Sequence, residues 1–135
     1  MITEDYVSFE TAKLLKEKGF DEPCECFYDT EHNDISIVNG WMVTSNSQLD
    51  EREILCYSAP TLQMVMKWLR EVHHYYIQIM LDSWACGGHM GYYVVIQKTD
   101  SDFEMMLQDA VDEVFYQTHE EACEAAIKYC LENLI

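Results

Sequence analysis

The chain has 135 residues, of which 49% are hydrophobic, 13% aromatic and 24% charged. This length and balance exclude a disordered tail and predict one folded domain over residues 1–135 with its own hydrophobic core. Eight basic residues against 25 acidic ones give a net charge of −17. A surface this negative repels phosphate backbones and disfavours direct nucleic-acid binding.

The start of the chain predicts a cytoplasmic protein. The segment Met1–Asp5 is acidic, and no basic stretch leads into an apolar one, so we expect no export. The longest unbroken apolar run is Tyr92–Ile96, which is too short to cross a membrane. Because cytoplasmic thiols stay reduced, we interpret the six cysteines as small apolar residues: Cys24, Cys26, Cys56, Cys86, Cys123 and Cys130.

The first predicted element is a helix within Ser8–Phe20. Ser8 is typical of an N-cap, because its hydroxyl can accept a hydrogen bond from an orphan N–H group of the first turn. Glu10 near the start and Lys16 near the end suit the helix dipole. Gly19 can take the left-handed conformation that ends many helices, so we expect the helix to end there.

Short strands are expected next. Pro23 opens the run Cys24–Tyr28, which we interpret as an edge strand. Asn39-Gly40 is typical of a two-residue turn, because both positions accept a positive φ. We therefore expect a hairpin between Ile35–Val38 and Trp41–Thr44.

A second helix follows the polar stretch Thr44–Glu53, which predicts a loop, and a short strand at Ile54–Tyr57. Ser58 suits the N-cap, and Pro60 suits the first turn, where a missing N–H costs no hydrogen bond. Beyond them, apolar residues recur at helical spacing and form one stripe: Leu62, Val65, Met66, Leu69 and Val72.

After His73-His74 the apolar pattern changes from helical to alternating, which predicts a half-buried strand over Tyr75–Asp82. The two histidines lie where a cation suits the helix dipole, and we interpret them as a helix end rather than as a ligand pair. The segment 85–89 contains two glycines and predicts a turn. Gly91–Lys98 then returns as the partner strand.

The remainder of the chain predicts two short strands and one helix, and the second of these strands is Val114–Tyr116. Thr99–Glu113 is acidic, and Phe103–Leu107 within it fits either a strand or a helix, of which we favour the strand. Thr118 and Glu121 have the spacing of a capping box, in which each side chain bonds the other residue's backbone. We expect the third helix to span His119–Asn133.

These elements predict an α+β fold, in which three helices pack on one face of an antiparallel sheet of about five or six strands. The expected order is α-β-β-β-α-β-β-β-α. Ser58 and Thr118 lie 60 residues apart, the apolar positions after the two caps coincide, and each cap follows a short β run. An internal β-β-α duplication is one interpretation, and chance similarity of two capped amphipathic helices is the other.

We expect no catalytic, cofactor or metal site. Cys86 and His89 have the spacing of half a metal site, but Cys24 and Cys26 complete it poorly, because strand neighbours point to opposite faces. Cys86 with His89 or His32 also suggests a cysteine nucleophile, although an acidic chain is a poor setting for a thiolate. A metal-binding module and a small cysteine-dependent enzyme therefore remain minor alternatives.

Charge points to a binding function more strongly than any motif does. Two acidic runs, Asp21–Asp34 and Thr99–Ala126, contain no Lys or Arg. Such runs can dock on a basic partner, although acidic surfaces also serve solubility alone. We take as candidate partner-binding residues Asp100, Asp102, Glu104, Asp109, Asp112 and Glu113. Of the following aromatic side chains we expect most to pack in the core and some to be exposed as interface anchors: Trp41, Tyr57, Trp68, Tyr75, Tyr76, Trp84, Tyr92 and Tyr93.

Three helical blocks carry a family resemblance: Ser8–Phe20 (SFETAKLLKEKGF), Ser58–Glu71 (SAPTLQMVMKWLRE) and Glu120–Ile135 (EEACEAAIKYCLENLI). They resemble a family of short acidic proteins encoded in prophages and mobile elements of gut anaerobic bacteria. No activity is assigned to that family, so no residue role carries over. The resemblance implies a bacterial cytoplasm and a phage or mobile-element setting.

The sequence therefore predicts a non-enzymatic accessory or interaction protein, a monomer or homodimer without a cofactor. We expect it to bind a protein partner, of an identity that the sequence does not give, through an acidic surface. The first alternative is a DNA mimic that inhibits a nucleic-acid-binding protein. The second is a small enzyme that uses Cys86 as its nucleophile.

Overall fold

The computed structural model of the chain describes residues 1–29, 35–37, 43–51, 53, 55–82, 91–111 and 115–135, with the backbone alone at 35–37. These residues form two compact units, Met1–Thr61 and Leu62–Ile135. Each unit contains α-helices and antiparallel strands. The predicted α+β class is therefore confirmed.

The arrangement of the strands differs from the prediction. The described strands form two three-stranded antiparallel sheets, one in each unit, instead of one sheet of five or six strands under three helices. The prediction of a single sheet is therefore wrong. The physical reason is that apolar alternation locates a strand but does not specify which distant segment the strand pairs with. A single domain requires that the two units unfold together, which their separate sheets do not decide. The single domain over residues 1–135 therefore stays a prediction.

The first unit begins with helix α1, Phe9–Glu17, as predicted. The Ser8 hydroxyl caps this helix by accepting a hydrogen bond from a first-turn N–H group at 3.2 Å. At the other end, the N–H group of Phe20 donates to the Leu15 carbonyl at 2.9 Å. Gly19 has a φ of 87° and completes the Schellman ending.

The sheet of the first unit has three short strands: β1 (Cys26–Asp29), β2 (Ile35–Ile37) and β3 (Cys56–Ser58). Their order is β2-β1-β3, so β1 is the central strand. The interpretation of Cys24–Tyr28 as an edge strand is therefore wrong. Pro23 precedes β1 and takes no part in its ladder, so the proline places no restriction on the strand. The turn predicted at Asn39-Gly40 lies outside the described residues.

A short helix, α2 (Asn46–Glu51), stands in place of the predicted polar loop. Ser45 and Gln48 form a capping box, in which the Gln48 N–H donates to Ser45 Oγ at 3.4 Å and the Ser45 N–H donates to Gln48 Oε1 at 3.1 Å. The Asp21 carboxylate accepts from the N–H and the hydroxyl of Ser47 at 2.6 and 2.7 Å. These bonds satisfy the helix start and explain how a polar sequence forms a helix here.

The second unit begins with α3 (Leu62–Val72), and three strands follow: β4 (Tyr75–Asp82), β5 (Gly91–Lys98) and β6 (Glu104–Met106). The strand order is β4-β5-β6. β4 and β5 pair without interruption over their full length. The two strands predicted from alternation are confirmed, and so is the choice of a strand within Phe103–Leu107.

Ser58 is not the cap of α3. It is the last residue of β3, only 1% exposed, and its N–H donates to Asn46 Oδ1 at 2.9 Å. Thr118 does cap a helix, because its hydroxyl accepts from the Glu121 N–H at 3.1 Å. The 60-residue alignment thus pairs a strand residue with a helix cap, and the interpretation as a β-β-α duplication loses its structural basis.

Two helices cover one face of the second sheet. A 3₁₀ turn (Leu107–Asp109) follows β6, and helix α4 (His119–Tyr129) leads into a π-helical turn (Cys130–Leu134), which confirms the third predicted helix. Both α3 and α4 contact β4. The covered face is buried at alternate strand positions: Tyr75, Ile77, Val94 and Ile96. None of the described helices is long and apolar enough to cross a membrane.

Candidate partner-binding surface

Four of the six predicted partner-binding residues lie in the second unit and are exposed: Asp100, Asp102, Glu104 and Asp109. These four residues are called the acidic surface below. The other two, Asp112 and Glu113, lie outside the described residues. The sequence contains no Lys or Arg between Lys98 and Lys128, so this stretch of the chain supplies no cation of its own.

The loop between β5 and β6 carries the first two carboxylates. The Lys98 N–H donates to the Phe103 carbonyl at 3.0 Å and closes the loop. Six consecutive residues, Thr99–Glu104, are exposed. Asp100 and Asp102 therefore keep their hydration while being held on a short loop, and this arrangement favours contact with a cationic partner.

Lys98 neutralises the loop only weakly. Its Nζ lies 3.9 Å from Asp100 Oδ1, and both side chains are partly exposed, at 31% and 50%. An ion pair of this kind contributes about 0–1 kcal/mol. The Lys98 ammonium also lies 5.2 Å from the ring centroid of Tyr75, and that ring meets Phe103 edge-on at 6.1 Å. These contacts fix the base of the loop and leave most of its negative charge available to a partner.

Glu104 is held by a row of side chains across the sheet. Gln97 Nε2 donates to Glu104 Oε2 at 3.2 Å, and Gln78 Nε2 donates to Gln97 Oε1. The strand register places these residues on the face opposite the helices. In the sequence, each of these three residues is only a polar position in an alternating strand. The strand register is needed to show that the three side chains meet.

Asp109 is positioned by its neighbours in the 3₁₀ turn. Leu107 is fully buried, and Gln108 Oε1 accepts a hydrogen bond from the Val94 N–H at 3.0 Å. The turn is thus attached to β5 by one apolar and one polar contact. Asp109 itself stays exposed, at a fixed place on the surface of the second unit.

Apolar side chains are exposed on the same unit. We define the outer face as the sheet face opposite the helices; it includes Tyr76, Gln78, Met80, Asp82, Tyr93, Val95, Gln97, Glu104 and Met106. On this face Tyr76 is 42% exposed, Met80 38% and Met106 40%. Phe103, in the acidic loop, is 38% exposed. A partner that binds here can bury these apolar groups and can also form ion pairs with the carboxylates.

The predicted aromatic anchors differ in their exposure. Tyr76 is exposed, as an anchor must be, whereas Trp68 and Tyr75 are at most 9% exposed and belong to the core of the second unit. Trp41 and Trp84 lie outside the described residues. Tyr93 is partly covered, since its ring meets Phe115 at 6.5 Å.

The five described cysteines form no disulfide, and all of them are buried: Cys24, Cys26, Cys56, Cys123 and Cys130. Burial raises the pKa of Cys24 and of Cys130 to about 12, so both thiols stay protonated at neutral pH. A protonated, buried thiol is a poor nucleophile and a poor metal ligand. The proposed nucleophile Cys86 and its partners His32 and His89 lie outside the described residues.

One other cysteine has a histidine beside it. Cys123 Sγ lies 3.5 Å from His119 Nδ1, one turn away on α4, and the His119 ring meets Tyr92 edge-on at 5.9 Å. Cys123 is 1% exposed, so no substrate can reach its sulfur in this conformation. Within the described part of the chain, no group of three or more His, Cys, Asp or Glu side chains is arranged to hold a metal ion.

No family model, curated protein or solved structure matches this chain.

Proposed function

We propose that this chain is a non-enzymatic, cytoplasmic accessory protein of phage or mobile-element origin that binds a protein partner through the acidic surface of its second unit. The observation that carries the proposal is the exposure of Asp100, Asp102, Glu104 and Asp109, together with the weak pairing of Lys98 with Asp100. Such a surface attracts a basic partner and accelerates its association.

The exposed apolar groups set the strength of the complex. Each exposed ion pair contributes roughly 0.2–1 kcal/mol, so four carboxylates alone account for weak binding. Burial of Phe103 and Met106, which are 38% and 40% exposed and lie within two residues of Glu104 in the chain, adds apolar area. The partner that fits is therefore a basic protein segment that also carries apolar side chains.

The test compares capture by three forms of the protein. In the site variant the acidic surface is neutralised by D100N, D102N, E104Q and D109N. In the matched control, four exposed acids of the first unit that lie outside both acidic runs are neutralised by E4Q, D5N, E17Q and E51Q, which changes the net charge by the same amount. We expect a bacterial protein that the wild type and the control retain and that the site variant loses.

Salt and DNA complete the test. Retention should fall between about 0.1 M and about 1 M salt, where the Debye length shrinks from about 10 Å to about 3 Å. A partner that duplex DNA displaces would favour the DNA-mimic alternative. A partner that the site variant retains as well as the wild type does would contradict the proposal.

A further inference from the structure

Among the strands that the structure describes, β4 lies at the edge of its sheet, and its sequence lacks the features that usually protect an edge. It spans Tyr75–Asp82, contains no Pro, Gly, Lys or Arg, and pairs with β5 without a bulge over all eight residues. Natural edge strands are normally short, bulged, or interrupted by Lys or Pro, because unpaired backbone groups otherwise recruit another strand. β4 has none of these features.

The direction of the β4 backbone groups follows from the hydrogen bonds of β5. Tyr92 exchanges two hydrogen bonds of 2.8 Å with Tyr116, and the Lys98 N–H donates to Phe103, both on the β6 side of β5. Backbone groups alternate along a strand, so the intervening residues of β5 bond to β4. Their register partners in β4 are Tyr76, Gln78, Met80 and Asp82.

The alternate residues of β4 therefore point their N–H and C=O groups away from the sheet. Within the part of the chain that the structure describes, these groups of Ile79 and Leu81 form no hydrogen bond. Leu81 is 54% exposed and Met80 38%, whereas Tyr75 and Ile77 are buried. The open part of the edge is thus the second half of the strand, from Ile79 onward.

The net charge of the chain indicates which kind of segment binds the β4 edge. A second copy of this chain would bring a further net charge of −17, which opposes pairing of two β4 edges. An extended segment with basic residues is attracted instead, and its backbone can bond to Ile79 and Leu81 while an apolar side chain meets Met80. We infer that the β4 edge at Ile79–Leu81 is a strand-addition site for an extended, basic-flanked apolar segment of a protein partner. This inference rests on the proposed function and adds a second contact to it, farther along β4 from the loop that carries Asp100 and Asp102.

The test uses synthetic probes of one composition. The parent probe is a short peptide of alternating valine and threonine with two lysines at each end, and two further probes carry N-methyl groups on one or the other alternate set of backbone amides. In strand addition only one set of amides faces β4. We therefore expect one methylated probe to bind at least about ten-fold more weakly than the parent probe, because it loses one or two net hydrogen bonds. The other methylated probe should bind as tightly as the parent probe.

A variant of the protein checks the same contact from the other side. Because the Ile79 N–H points away from β5, I79P removes an edge donor without removing a ladder hydrogen bond, and I79V keeps the donor as the control. We expect I79P to bind the parent probe about ten-fold more weakly than I79V does, with an unchanged circular dichroism spectrum. If I79P fails to fold, the methylated probes decide the matter alone.

Three results would overturn the inference. Equal binding of all three probes would mean that charge alone holds the peptide, which refutes strand addition while leaving the proposed function intact. No binding of the parent probe at low salt would refute the site, and the capture comparison with the site variant would still judge the proposed function separately. Sedimentation that shows a dimer lost in I79P would make a second copy the occupant.

Discussion

Asn46 is the polar side chain whose removal should most destabilise the first unit. It is 4% exposed, its Nδ2 donates to the Phe20 carbonyl at 2.8 Å, and its Oδ1 accepts from the Ser58 N–H at 2.9 Å. This single amide connects the end of α1, the start of α2 and the strand β3. Asn46→Ala removes both of these buried hydrogen bonds.

The expected cost follows from those two groups. An unsatisfied buried donor or acceptor costs about 1–3 kcal/mol, and the better helix propensity of alanine returns about 0.7 kcal/mol. Asn46→Ala should therefore lower the free energy of unfolding by about 2–4 kcal/mol, a large fraction of the roughly 5–15 kcal/mol that stabilises a typical domain. The matched control is Asn133→Ala, which removes an exposed amide bonded to the Tyr129 carbonyl at 3.2 Å.

Urea unfolding measures both variants. At a slope of about 1–3 kcal/mol per M, Asn46→Ala should move the midpoint down by roughly 0.7–4 M, whereas the control should change the free energy by less than about 0.5 kcal/mol. A loss below about 0.5 kcal/mol for Asn46→Ala would refute the reasoning, since two buried hydrogen bonds cannot be lost at so small a cost.

Three further predictions concern the caps and the thiols. Hydrogen bonds from Ser47 lower the pKa of Asp21 below its ordinary value of 3.8, so this carboxylate stabilises the fold above about pH 4 and its contribution disappears as the pH falls through the lowered pKa. Asp21→Asn should reduce the urea midpoint more at pH 7 than at pH 2, and an equal reduction at both would contradict the cap. Gly19→Ala should cost about 1–2 kcal/mol in the same assay, because the φ of 87° is left-handed while an added Cβ would meet nothing within 4 Å; a neutral result would contradict this. Alkylation of Cys24 and Cys130, followed by peptide mapping, should be slow at pH 8 in the native protein and fast in urea, because burial raises the pKa of both thiols to about 12. Rapid native labelling of either thiol would contradict its burial.

Local signals in the sequence predict much of the secondary structure. The Ser8 and Thr118 caps, the Gly19 ending and the alternation over Tyr75–Asp82 each depend on residues within one or two turns or on one strand. Because such signals act between residues that are close in the chain, they can be recognised without knowledge of the tertiary contacts. Helix α2 also has a local signal, the capping box of Ser45 and Gln48, but its sequence lacks an apolar stripe.

The remaining features depend on distant contacts. Pairing of β1 with β3 joins Phe27 to Ser58, and this pairing makes Ser58 a strand residue although its sequence suits a helix cap. The residues of the acidic surface are predicted from an acidic run without Lys or Arg, and the structure shows that they are exposed. The row of Gln78, Gln97 and Glu104 and the open edge of β4 appear only once the strand register is known.

The capture comparison tests the central claim most directly. Wild type, site variant and matched control are immobilised in equal amounts, exposed to the same bacterial lysate at about 0.1 M salt, and the retained proteins are quantified by mass spectrometry. The proposed function predicts at least one protein, retained stoichiometrically by the wild type and the control, whose amount falls about ten-fold or more on the site variant, as expected when four ion pairs are lost. Equal retention on all three forms, or no retained protein on any of them, would contradict it.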